Sequence, residues 1–190
     1  MSADQKLANL SAKPHGNYKV TLAPIRNLNN SFYASGQVAR RDDQMIATGL
    51  VGREVNMELA QECAWQCAIN VLESVQKEIG SLDKIEYVAR LGIYVASADD
   101  FSDQHLVGHG ASQVILDVFG PEVGLHTRTA IGVKSLPLNS PVEVDAIFVL
   151  KKYSNTSQSP VMILDWPVTL SCALAVHEQD LQQQSLLICH

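Results

Sequence analysis

No cluster of lysine and arginine larger than a pair occurs in this 190-residue chain, and its net charge is −6. That balance argues against a phosphate-backbone footprint, so nucleic acid is not an expected partner. The four cysteines (Cys63, Cys67, Cys172 and Cys189) show no CxxC spacing of the kind that holds a metal. Cys63 and Cys67 stand four apart in a helical pattern and read as small buried hydrophobes rather than a redox or metal pair. The first six residues, Met1 to Lys6, lack the apolar core of a secretory signal. With cysteines of a reduced type, this makes the cytoplasm the expected compartment. Residues 161–176 are apolar but are broken by Asp165 and Pro167, and sixteen residues fall short of a bilayer. No membrane partner is expected.

What is present is one core's worth of patterned sequence. The spacing predicts a helix over 57–79, because Ala60, Cys63, Ala64, Cys67, Ala68, Val71, Leu72, Val75 and Ile79 recur at the helical period. Asn56 suits its start and Gly80 its stop. Its facing residues are mostly small, which permits close approach to a sheet. Residues 85–96 read as a strand apolar on both faces, hence a central one. A second helix is predicted over 101–119, with Phe101, His105, Leu106, Val114, Ile115, Val118 and Phe119 inward. Gly108 and Gly110 predict a kink or break in it, and Gly120-Pro121 its end. Shorter strands are expected near residues 24–26 and 31–38, separated by a turn over Asn27 to Asn30, and a charged loop over 40–44. Two further strands are expected over 128–135 and 142–150. The last alternates, with Val142, Val144, Ala146, Phe148 and Leu150 on one face and Glu143 and Asp145 on the other. The order is that of an α+β fold, a mixed β-sheet covered on one face by two helices. The bare face then needs another cover, and a second copy of the chain supplies one naturally.

The stretch His126-Thr127-Arg128-Thr129-Ala130-Ile131-Gly132-Val133 sets an arginine at the head of an apolar strand. Residues 142–148 follow with Glu143 and Asp145. A guanidinium is a planar, permanently charged fork suited to a carboxylate or phosphate. From spacing alone, Arg128 reads equally as half of a structural Arg–Glu pair and as a ligand anchor.

Several stretches taken together resemble the RidA/YjgF/YER057c/UK114 family over roughly residues 20–150. They are Ser35-Gly36-Gln37, the small-residue helix, Val95 to Phe101, the Arg128 stretch, Leu136-Pro137 and Val142 to Ile147. The branch it resembles most carries an Asn-Gly-Ala-Ser helix motif, here His109-Gly110-Ala111-Ser112, and a His-x-Arg-Ser-Ala-x-Gly strand motif. The resemblance implies a chorismate-mutase-like (RidA-type) fold, homotrimeric, with clefts between subunits. It implies enamine/imine deaminase chemistry: reactive 2-aminoacrylate-type intermediates hydrolysed to 2-keto acids and ammonia, with no cofactor and no metal. The ligand class is a small 2-imino or 2-keto acid.

Carried over residue by residue, Arg128 matches the carboxylate-binding arginine and Glu143 the acidic residue that assists the attacking water. The backbone at Ala130 matches the segment that holds the substrate nitrogen, at a position where deaminases often carry cysteine. Ser35 matches a pocket serine. The pocket tyrosine falls at Leu22 by direct counting, and Tyr18 supplies it if 19–22 is a local insertion. The helix asparagine is replaced by His109, or by His105 if the helix is aligned from Phe101. His126 matches the histidine of its branch, which the resemblance places at the cleft mouth. Asp145 matches a second acidic position of structural character. Two other readings use the same fold: a non-catalytic small-carboxylate-binding protein, and an interaction role or the RNA cleavage historically attached to the family. The expected organisation is an N-terminal arm over 1–19, the RidA-like domain over 20–152 and a poorly ordered extension over 153–190.

Overall fold

A computed structural model describes residues 2–8 and 20–152. Tyr18, Cys172, Cys189 and the extension expected over 153–190 lie outside the described residues. Near the N-terminus, α1 (Ala3–Ala8) starts with a reciprocal cap. The Ser2 N–H donates to Gln5 Oε1 and the Gln5 N–H to Ser2 Oγ, which satisfies two otherwise orphan donors.

One five-stranded mixed sheet organises the rest. Its strands are β1 (Ile25–Leu28), β2 (Ser31–Val38), β5 (Ile85–Ala96), β6 (Thr127–Val133) and β7 (Val142–Leu150). They lie in the order β1-β2-β7-β5-β6. Only β5 and β6 run parallel among these pairs, and parallel neighbours need a crossover. The crossover is α3 (Gln104–Gly124), which packs beside α2 (Met57–Ile79) on the same face of the sheet. The expectation of an α+β sheet with two helices on one face holds. A separate two-stranded hairpin, β3 (Arg40–Arg41) with β4 (Gln44–Met45), replaces the expected charged loop. Asp42 and Asp43 both take left-handed backbone (φ 49° and 63°), the geometry a two-residue hairpin turn demands. Between β1 and β2 the turn is shorter than expected, because Asn27 and Leu28 pair as strand and only Asn29-Asn30 turns.

The long helix follows its predicted bounds. Asn56 Oδ1 accepts from the Leu59 N–H at 2.9 Å, and Gly80 closes the other end with φ 85°. Cys63 and Cys67 are free and buried. Burial pushes the Cys63 thiol up to about 11 and raises that of Cys67 as well, so both act as small apolar side chains.

The second helix departs from expectation. It starts at Gln104, runs unbroken through Gly108 and Gly110, and buries Val107, Gly108, Ala111, Val114 and Ile115. His105 and Val118, both expected inside, are exposed. The glycines cause the shift: they are contact positions, not breaks. A β-carbon on Gly110 would overlap the Gln61 carbonyl of α2. The turn by which the helix faces its neighbours is therefore set by where it lacks side chains. The break falls at Gly120 (φ 71°, ψ 177°), followed by Pro121.

Candidate functional site at the β6 edge and the open sheet face

Arg128 is the second residue of β6 and pairs with Leu91 of β5, a fully buried residue. Residues directly paired across strands point to one face, so Arg128 points toward the helices. Its guanidinium lies flat against α3 at Gly108, where a β-carbon would stand 3.2 Å from Cζ. Nη1 donates to Ser112 Oγ and Nη2 to the His105 carbonyl, both at 2.9 Å. Two of the five guanidinium N–H groups are used in this way. No carboxylate among the described residues pairs with it. Partial burial lowers its pKa but leaves it cationic.

His126 stands just before β6. Its Nε2 is 2.9 Å from Ser112 Oγ, and its Nδ1 is 2.6 Å from the Gly124 carbonyl oxygen. Ser112 thus touches both Arg128 and His126. The sequence marks Ser112 as the last residue of the His109-Gly110-Ala111-Ser112 motif but gives it no role; its spacing of four from Gly108 puts both on one side of α3.

β6 is an edge strand. The Val133 carbonyl accepts from the Ser97 N–H on the β5 side at 3.4 Å. In a parallel ladder, alternate residues turn both backbone groups the same way. The N–H and C=O groups of Ala130, two residues along the strand from Arg128, therefore face the unpaired edge.

Glu143 lies on β7 opposite Tyr94 of β5 and Val38 of β2. Its carboxylate occupies the space a β-carbon on Gly36 would take. That glycine sits in a register shift of β2 between Ala34 and Gln37, beside Ser35, whose Oγ donates to the Ala23 carbonyl at 2.9 Å. Burial, and then the charge of Asp145 two residues on, raises the Glu143 pKa from its ordinary value. Asp145 accepts from the Tyr94 hydroxyl at 2.7 Å and from Arg90 Nη1 at 3.4 Å. The hydrogen bond to Asp145, with burial, raises the Tyr94 phenol.

Arg128 and Glu143 are on opposite faces of the sheet, with β5 between their strands. The Arg–Glu pair that spacing allowed does not form within one chain, because the side-chain alternation of strands is out of phase at the two positions. The structure brings Arg128, Ser112 and His126 together, with Ala130 two residues along β6 from Arg128, and separately Glu143 with the bulge at Ser35-Gly36. His109 joins neither group. It is exposed on α3 and lines a cleft of about 550 Å³ with Trp65, Gln61 and Gln113. Leu22, at the counted tyrosine position, is 77% exposed.

Comparison with known proteins bears on the whole arrangement. The chain is 40% identical over 118 residues to Protein TCP17 of Trypanosoma cruzi, covering 62% of this chain and 74% of that protein. Among solved structures it resembles the Agrobacterium tumefaciens protein Atu1372, of unknown function, with TM-score 0.65 and 39% identity. That match covers 77% of this chain and 89% of the other. A Shewanella oneidensis protein at 23% identity, TM-score 0.65, covering 76% of this chain and 95% of its own, shares the fold. The family model described as Endoribonuclease L-PSP matches residues 11–150, and the chain belongs to that family, the RidA/YjgF family.

Proposed function

We propose that the chain is an enamine/imine deaminase that hydrolyses 2-aminoacrylate-type intermediates to 2-keto acids and ammonia, acting as a homotrimer in the cytoplasm. The observation that carries this reading is the state of Arg128. Its guanidinium is half-buried and held by a hydroxyl and a carbonyl, with N–H groups left over and no carboxylate partner among the described residues. A carboxylate ligand supplies the missing anion, and a bidentate pose suits the fork.

The separation of Arg128 and Glu143 supports sites shared between copies. A site using both needs the β6 edge of one copy against the open sheet face of another. Such a contact joins two different surfaces, and heterologous contacts of this kind form a ring when the rotation between copies closes. The open face carries Tyr33, Tyr87 and Ile131, each close to half exposed; apolar surface of this kind suits a subunit contact.

In the reaction, Arg128 holds the 2-imino acid by its carboxylate, and the edge carbonyl at Ala130 accepts from the imine N–H. Glu143 of the neighbouring copy takes a proton from water as the oxygen bonds to the imine carbon. It returns that proton to nitrogen, and the carbinolamine releases ammonia as the keto group forms. Its raised pKa moves the carboxylate toward the working pH of a general base. Ser35 completes the pocket in this reading, and His109 lies outside it.

The test is ammonia release from 2-aminoacrylate generated in situ by a serine/threonine dehydratase. Arg128→Ala should fall at least about a hundredfold below wild type, the loss of a charged clamp worth roughly 3 kcal/mol. Wild type no faster than Arg128→Ala would sink the proposal.

The family description raises RNA cleavage as a second reading. Arg40, Arg41, Arg53 and Arg90 are each tied to a carboxylate, and the net charge is −6. Both features weigh against a phosphate-binding stripe.

A further inference from the structure

We propose that Ser112 and His126 are positioning residues, holding the Arg128 guanidinium in one orientation through a directional hydrogen-bond chain that sets affinity for the carboxylate. This rests on the reading of Arg128 as the anchor. The direction of the chain follows step by step from what each atom can do. The Gly124 carbonyl only accepts, so the proton of the neutral His126 ring is on Nδ1, at 2.6 Å. Nε2 is then a lone pair, and the Ser112 hydroxyl donates to it at 2.9 Å. With its hydrogen so committed, Ser112 Oγ offers lone pairs, and Arg128 Nη1 donates to one at 2.9 Å.

The fold supplies each part for a local reason. Gly124 closes the short turn after the break at Gly120-Pro121, and carbonyls at a helix end lack intrahelical partners. Ser112, Gly108 and His105 recur at spacings of four and three, so one face of α3 presents a hydroxyl, a bare backbone and a carbonyl. Gly108 lets the guanidinium plane lie against the helix. An arginine free to rotate loses side-chain entropy when a ligand fixes it, and ordering it beforehand removes that cost from ligand binding. His126 reaches the ligand only through Ser112 and Arg128, so it acts by orientation.

The test uses the full chain with Ser112→Ala, His126→Leu and His126→Gln, titrated with 2-oxobutanoate and assayed for turnover. Ser112→Ala and His126→Leu should each weaken binding roughly tenfold, a charge-assisted hydrogen bond's worth. The loss should fall on KM, with kcat within about threefold, since what is lost is ground-state binding. His126→Gln should restore affinity, because its amide oxygen accepts from Ser112. A purely structural role would lower Tm in all three alike and leave KM unmoved. Binding as tight as wild type in Ser112→Ala and His126→Leu, with binding lost in Arg128→Ala, overturns the proposal while keeping the anchor. If wild type does not bind 2-oxobutanoate, the anchor reading fails, and nitrogen NMR still decides the chain. A His126 ring protonated on Nδ1, with Arg128 side-chain N–H exchange that quickens in Ser112→Ala, supports it; an Nε2–H ring overturns it.

Discussion

The two faces of the sheet share strands yet follow different rules. On the helix side, Val142, Val144, Ala146 and Phe148 of β7 meet Val88, Leu91, Ile93 and Val95 of β5, all essentially without solvent contact. On the other side the same strands present Glu143, Asp145, Ile147, Tyr87, Arg90 and Tyr94. The first face is filled within one chain. The second combines half-exposed apolar residues with a raised carboxylate and a Tyr–Asp–Arg cluster, a composition that single-chain packing does not explain. One face holds the fold; the other is free to carry chemistry and contact.

The sharpest way to break that contrast is a pair of neighbours on β7. Phe148→Ala should destabilise the subunit by about 3–5 kcal/mol, the cost of emptying a filled aromatic site, read by urea unfolding. Ile147→Ser, one residue away on the open face, should leave unfolding of the dissociated subunit within about 0.5 kcal/mol. It should instead make assembly and Tm depend on protein concentration, read by analytical ultracentrifugation. Equal unfolding losses would erase the distinction between the faces.

A smaller effect sharpens it on the Arg128 side. Gly108→Ala adds helix propensity, about 1 kcal/mol of stabilisation at most, but its β-carbon presses on the guanidinium. Carboxylate affinity should drop about fivefold to tenfold while Tm holds or rises; unchanged affinity would show that Arg128 does not need the flat seat.

The smallest effect concerns pH. The folded pKa of Glu143 is raised by burial and by Asp145, so its contribution to stability is fully present below the unfolded value near 4.5. That contribution is lost as pH rises through the folded pKa. Glu143→Gln should remove this dependence, so its stability relative to wild type improves between pH 4 and pH 7. Parallel stability curves for the two proteins over that range would contradict the raised pKa. Asp145→Asn should shift the same transition to lower pH.

Much of the fold is legible in the chain because periodicity and caps are local. The nine recurring apolar residues from Ala60 to Ile79, with Asn56 and Gly80 at the ends, specify α2 to the residue. The alternation from Val142 to Phe148 specifies which side of β7 is inside. The second helix was harder to read because its inward face is defined by absences. Gly108 and Gly110 look like helix breakers until the partners they admit, Arg128 and the Gln61 carbonyl, are in view. The same holds for the site. Arg128, Glu143 and His126 stand out as residue types, but Ser112, although part of a motif, has no visible partner until β6 is laid beside α3.

By itself, the sequence determined the long helix, the central and last strands and the inward face of the last strand, and it marked Arg128 without deciding between a structural pair and a ligand anchor. Those depend on neighbours within a few residues, where the helical and strand periods leave a direct mark. Only the tertiary structure decided that Arg128 and Glu143 part to opposite faces of the sheet. It alone decided that a serine and a histidine sixteen and two residues upstream hold the guanidinium. Strand order and the seating of a crossover helix are long-range outcomes. They turn on which surfaces bury each other, and no single stretch of sequence carries that information.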